Sequence, residues 1–208
     1  MSTAATYPIE DVTGVVLAGG RARRMGGHDK GLVEIDGRPM VVFIVEALKA
    51  QTATVVVNAN RNLERYRELC GCVVVPDTLG EFAGPLAGMA AGMESSQTPF
   101  VLTAPCDSPL ISRDLGARLF DALEGEDAEL AVAHDGKRMQ PVFALLRRNL
   151  LDSMIAYLRS GESKIDTWYA THRTALADFS DDTSMFLNVN TPEDRLQLES
   201  SVLKARES

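Results

Sequence analysis

Val15 to Lys30 reads VVLAGGRARRMGGHDK. Val15, Val16 and Leu17 have the character of a buried strand. The run then breaks into the glycine pairs Gly19-Gly20 and Gly26-Gly27, with Arg21, Arg23, Arg24 and Lys30 interleaved. Glycines let backbone amides approach a ligand closely, and successive N–H groups form a concave anion site. The basic side chains add full positive charge. A strand followed by such a loop suits a triphosphate. A solvated surface loop is the simpler alternative, but a cluster of basic residues in so acidic a chain weighs against it. The common P-loop requires a Lys followed by Ser or Thr, whereas Gly31 follows Lys30. The adjacent glycine pairs also depart from the dinucleotide-binding fingerprint.

The 208 residues suffice for one sizeable domain, and the 45% hydrophobic content is that of a globular chain. A formal net charge of −8 argues against nucleic acid or anionic membrane as a general partner. No apolar run reaches the length of a membrane span. The start, MSTAATYPIED, lacks the basic region and apolar run of a secretory signal. Cys70, Cys72 and Cys106 are odd in number, and the first two are too close for a structural pair. Reduced thiols in a cytoplasm are expected.

Outward from the glycine loop, residues 1–11 read as a loose leader and Thr13–Ala18 as the first strand. Leu32–Ile35 is a short extended piece ending at the turn Asp36-Gly37. Apolar residues at helical spacing predict a helix from Met40 to Ala50, with Pro39 at its start. Strands are expected at Ala53–Val57, Cys72–Val75 and Phe100–Ala104, and helices at Leu63–Leu69, Leu86–Met93 and Arg113–Leu123. The alternation predicts an α/β fold: a three-layer αβα arrangement around a mostly parallel, Rossmann-like sheet. In such sheets ligands bind beyond the carboxyl ends of the strands, and Gly19, Asn58, Asp77 and Asp107 all fall there. After residue 125 the pattern changes. Glu129–His134 and Gln140–Leu145 predict a hairpin at Asp135-Gly136, a small antiparallel portion. Leu150–Leu158 reads as a helix, Gly161–Ala170 as a loop with a short helix, and Leu176–Phe179 as extended. Phe186–Val189 leads as a packed strand end into Asn190, and Thr191-Pro192 opens a last helix to about Leu203. The chain is expected to form a single domain, with 12–125 the nucleotide-binding half and 126–203 the second-substrate half.

Asp107, in TAPCDSP, is placed to hold Mg²⁺, which prefers oxygen ligands and bridges phosphates; a helix or turn cap is the alternative. Asn190 is a further oxygen donor or a turn residue. His28 touches phosphate or is solvated, His134 makes a structural hydrogen bond, and His172 lies on the surface. Met89 and Met93 read as core.

LAGGRARRMGGHDKGL, followed in order by VVVNANR, VPD, GPLAGM, PCDSP and NVNTPED, resembles the molybdenum cofactor guanylyltransferase family, of the nucleotide-diphospho-sugar transferase-like fold. The resemblance covers nearly the whole chain. It implies that GTP and Mo-molybdopterin yield the guanine dinucleotide cofactor and pyrophosphate, with Mg²⁺. It further implies that Leu17, Ala18, Gly19, Lys30, Asn58, Asp77 and Asp107 contact GTP, with Lys30 and Asp107 catalytic and Asp107 on the metal. Both reacting groups are anionic, so catalysis consists mainly of neutralisation and alignment, and no general base is needed. Asp77 is the candidate reader of guanine, with Gly84 and Gly88 giving the base room. The pterin is expected on the second half, at His134–Gln140 and at Asn188 and Asn190, with transient contacts to molybdopterin-handling and molybdoenzyme-maturation proteins. Cytidylyl transfer, sugar-phosphate activation and a non-catalytic carrier are the alternatives.

Overall fold

A computed structural model describes residues 6–20, 29–79, 84–189 and 194. The strands are β1 (Val12–Leu17), β2 (Glu34–Ile35), β3 (Arg38–Pro39), β4 (Thr54–Asn58), β5 (Val73–Val75), β6 (Phe100–Pro105), β7 (Leu130–His134), β8 (Met139–Arg147) and β9 (Thr174–Asp178). The α-helices are α1 (Met40–Lys49), α2 (Leu63–Cys70), α3 (Pro85–Ser95), α4 (Leu115–Gly125), α5 (Leu151–Arg159) and α6 (Ile165–Tyr169). Seven strands make one sheet in the order β5-β4-β1-β6-β8-β7-β9, and β2 pairs with β3 in a small hairpin. β1 lies parallel to β4 and β6, β4 to β5, and β7 to β9. Within this seven-stranded sheet β8 runs antiparallel to its neighbours β6 and β7. The α/β, mostly parallel architecture is as expected, and β7 and β8 form the antiparallel portion.

Successive strand residues face opposite sides, so each central strand serves two cores. Val12 and Val16 of β1, Val55 and Val57 of β4, and Leu102 and Ala104 of β6 join one core with α1, α2 and α4. Val15, Val56 and Val101, on the reverse face, join Leu130, Val132, Ala144 and Leu146 under α3, α5 and α6. Each Val or Leu fully removed from water stabilises the fold by roughly 1.5–3 kcal/mol. α1 presents Met40, Val41, Ile44, Val45 and Leu48 as a helical stripe. α3 has no such stripe: every residue from Leu86 to Met93 is buried. Its small residues let it sit against β1, and Met154, Trp168 and Tyr169 belong to the core around it.

Element ends shift by a residue or two from the expected ones. Three expectations change more. Leu32 is not extended, because Lys30–Leu32 forms a 3₁₀ turn closed by Leu32 N donating to Asp29 O at 3.1 Å. The described part of the leader, residues 6–11, is not loose: Tyr7 donates to Gln51 O at 2.8 Å, its ring meets Phe120 edge-on at 5.8 Å, and Ile9–Asp11 is a 3₁₀ turn; residues 1–5 lie outside the described residues. Phe186–Val189 is not a strand end, since Thr183–Phe186 is a 3₁₀ turn and Leu187 is exposed. The arginine loop, His28, Asn190 and the expected last helix apart from Asp194 lie outside the described residues. Among the described residues no helix is long and apolar enough to cross a membrane.

Candidate nucleotide cleft

A cleft of about 560 Å³ lies across the carboxyl ends of the parallel strands. Sheet order sets the sequence of groups along it. Asp77 follows β5, Asn58 ends β4, Gly19 follows β1 and Asp107 follows β6; Gln140 to Phe143 of β8 come next. Leu17, Ala18, Lys30 and Asn188 also line it, so the structure gathers around one space every residue expected to contact GTP, together with Asn188 and Gln140 from the expected pterin side.

The loops leaving the strands stay in register because the backbone ladder continues past the strand ends. Ala18 N donates to Asn58 O at 2.8 Å, Ala59 N to Val75 O at 3.0 Å, and Cys106 N to Leu17 O at 3.1 Å. Side chains complete the frame on the β4–β5 side. Asn58 Nδ2 donates to Asp77 Oδ1 at 2.8 Å and Asn60 Nδ2 to Asp77 Oδ2 at 2.7 Å. Asn60 Oδ1 in turn accepts from Asp77 N at 2.8 Å, and Asn60 Nδ2 also donates to Gly19 O at 3.2 Å. The Asp77 carboxylate is thus a fixed acceptor, and each oxygen keeps a second lone-pair site. Asn58 itself is buried. A Cβ on Gly88 would stand 2.3 Å from Asn58 Oδ1, and one on Gly19 would stand 2.8 Å from it. Gly88 therefore makes room for Asn58, and both Gly84 and Gly88 line the cleft.

In the middle of the array Lys30 Nζ donates to Asp107 Oδ2 at 2.8 Å. Both side chains are mostly buried, so the pair is shielded from salt more than a surface pair would be. Asp107 is also tied by its carbonyl, which accepts from Val189 N at 3.0 Å. The buried Cys106 thiol is pushed far up, first by burial and then by the Asp107 and Asp29 carboxylates, with Lys30 opposing. It is an uncharged filler beneath the charged groups.

The opposite wall is an irregular piece of β8. β8 pairs with β6 only as far as Thr103↔Ala144. Its register with β7 jumps from Val132↔Ala144 to Ala133↔Gln140. Pro141, Val142 and Phe143 therefore leave both ladders and bulge towards the cleft. Tyr169 Oη donates to Pro141 O at 2.7 Å and Thr103 Oγ1 to Val142 O at 2.7 Å, so the freed carbonyls are satisfied. Gln140 Nε2 donates to Asp135 Oδ2 at 2.7 Å, and Asn188 Oδ1 accepts from Ser108 Oγ at 2.6 Å. His134 does not line the cleft; its Nδ1 accepts from Gly136 N at 3.0 Å, a structural bond as expected. His172 is no ordinary surface residue, for it packs on Trp168 with ring centroids 4.4 Å apart. Asn60, Tyr66, Thr103 and Tyr169 shape the site and were not anticipated. Asn60 stands beside Asn58 in the same polar break, but the others show their roles only through partners distant in sequence.

A doubly wound sheet with a cleft over its strand ends, a paired lysine and aspartate at its centre and a fixed acceptor to one side defines a nucleotide-binding α/β protein. Residues 14–176 match the MobA-like NTP transferase domain, and the chain belongs to that family. It is 50% identical over 193 residues to a protein of Shewanella sediminis named molybdenum cofactor guanylyltransferase, covering 93% of this chain and 98% of that one. A protein of the same name from Shewanella pealeana is 52% identical over 187 residues, covering 90% and 93%. The structure of molybdopterin-guanine dinucleotide biosynthesis protein A from Archaeoglobus fulgidus superposes with a TM-score of 0.78 at 19% identity, covering 92% of this chain and 99% of that one. That likeness concerns the fold.

Proposed function

We propose that the chain transfers GMP from GTP to Mo-molybdopterin, forming the guanine dinucleotide cofactor and releasing pyrophosphate. The observation that carries this reading is a single cleft lined from both halves of the chain, with the Lys30–Asp107 pair between Asp77 on one side and the β8 bulge on the other. In it Leu17, Ala18, Gly19, Lys30, Asn58, Asp77 and Asp107 hold GTP, and Gln140 to Phe143 with Asn188 receive the pterin. Asn190, outside the described residues, keeps its proposed place on the pterin side.

The terminal phosphate of the pterin forms a P–O bond to the α-phosphorus of GTP as the bond to pyrophosphate breaks. The attacking oxygen is already ionised, so the protein aligns the two anions and spreads their charge. Lys30 and the loop amides do this directly. The adjacent N–H donors of guanine meet the Asp77 carboxylate, which Asn58 and Asn60 hold still. Among the described residues no cluster of three His, Cys, Asp or Glu gathers that could cage a metal. A single carboxylate, Asp107, fits an Mg²⁺ ion that arrives on the triphosphate, since Mg²⁺ takes few protein oxygens when phosphates supply others. Held there by Asp107, it would supply charge neutralisation at the phosphates. The chain works as one cytoplasmic domain, a reading supported by three unpaired cysteines.

The test is pyrophosphate release from each NTP, with and without molybdopterin. Release is expected only with GTP and molybdopterin together. Release with CTP in place of GTP makes it a cytidylyltransferase, and GTP binding without release makes it a carrier. In the same assay Asp107→Asn should raise the Mg²⁺ concentration needed for turnover more than it weakens GTP binding.

A further inference from the structure

Two carboxylates stand next to Lys30 in the cleft. One is Asp107, its partner at 2.8 Å. The other is Asp29, its neighbour in the chain, which also lines the cleft. Asp29 is engaged by α2 instead. Tyr66 Oη donates to Asp29 Oδ1 at 2.5 Å and Asn62 Nδ2 to Asp29 Oδ2 at 3.1 Å. The two donors are one helical turn apart, and Asn62 starts that turn in the left-handed conformation with φ 53°. Tyr66 is fully buried. Burial, then Cys106 and Asp29, push its phenol far above the ordinary value, so it stays an O–H donor. The fit is close: a Cβ on Gly31, the residue after Lys30, would stand 2.6 Å from Tyr66 Oη. The Asp29 carbonyl meanwhile closes the turn that carries Lys30.

A carboxylate next to a phosphate-binding lysine competes with the phosphate for it. We propose that Tyr66 and Asn62 are positioning residues that occupy both oxygens of Asp29 and so keep it from Lys30. The charge of Lys30 is thereby kept from Asp29. The inference rests on reading the cleft as a GTP site. It differs from a packing role for Tyr66 in one respect: the damage from losing the phenol O–H comes from the charge on Asp29, and removing that charge repairs it.

The experiment is a GTP titration of the full chain, of Tyr66→Phe, of Asp29→Asn and of the two combined. Tyr66→Phe should weaken GTP binding about tenfold, a typical coupling for groups sharing one hydrogen-bond network, and adding Asp29→Asn should restore most of the loss. Asn62→Gly keeps the left-handed backbone on an exposed residue, so it serves if Tyr66→Phe does not fold; it should weaken binding in the same direction and be repaired by Asp29→Asn as well. Unchanged affinity in both single variants, or a double variant no tighter than its parent, overturns the proposal. A wild-type chain that does not bind GTP overturns the reading of the cleft itself.

Discussion

Asn58 shows how closely single residues are fitted at this site. Its side chain lies between Gly19 and Gly88 and reaches Asp77. Gly88→Ala would put a methyl 2.3 Å from its Oδ1, so Asn58 must leave or α3 must shift. Overpacking of this kind costs about 1–3 kcal/mol. A lowered denaturant midpoint together with loss of GTP binding is expected, and a stable variant that binds normally would refute the fit. Lys30→Ala should slow guanylate transfer about 10- to 150-fold while the fold survives, because it removes a charge-assisted phosphate contact worth roughly 1.5–3 kcal/mol. Circular dichroism and the pyrophosphate assay check the two halves of that statement. Lys30, Asp77 and Asp107 were legible in the sequence because charged residues at strand ends are unusual and the fold places strand ends together. The role of Gly88 was not, since a glycine carries no sign of which side chain fills the space beside it. Tyr66 was hidden for a similar reason: on sequence alone it is one more apolar position on a short helix.

At the level of elements, period-two and period-three-to-four patterns located every strand of the large sheet and every α-helix to within a few residues. They did not place the bulge in β8: Pro141, which has no N–H for a ladder, signals an irregular or edge position, but the form of the departure depends on Thr103 and Tyr169 from elsewhere. The turn before it fixes Gln140. Asp135 accepts from Lys137 N and Arg138 N, both at 2.8 Å, as well as from Gln140. These bonds, that of Arg138 first, pull its carboxyl down to about 2. A folded value below the ordinary 3.8 means that the turn's contribution is complete above that value and is lost as pH falls through about 2. A carboxyl titration by NMR should give Asp135 a midpoint near 2, and a midpoint near the ordinary value would exclude the turn as drawn. Beside the bulge, Asn188→Asp should weaken molybdopterin binding and spare GTP. It places a second anion by an anionic substrate and leaves the β4–β5 side untouched. Separate titrations with each ligand decide this, and loss of GTP binding alone would move Asn188 to the nucleotide side.

Across the whole molecule the sequence divides at about residue 125, but the packing does not. The core on the α3 face combines Val15, Val56 and Val101 with Leu130, Val132, Met154, Trp168 and Tyr169. Residues 1–125 expressed alone should therefore be insoluble or bind hydrophobic dyes strongly, and a soluble, cooperatively melting fragment would show that the first half folds by itself. The burial of α3 on all sides also has a consequence during synthesis. Met89 leaves the ribosome 80 residues ahead of Tyr169, whose hydroxyl lies 4.0 Å from its sulfur. At 5–20 residues per second that is an interval of roughly 4–16 s. For that time the nascent chain carries an apolar helix whose side towards α5 and α6 has no cover, and it is then that a holding chaperone has most to protect.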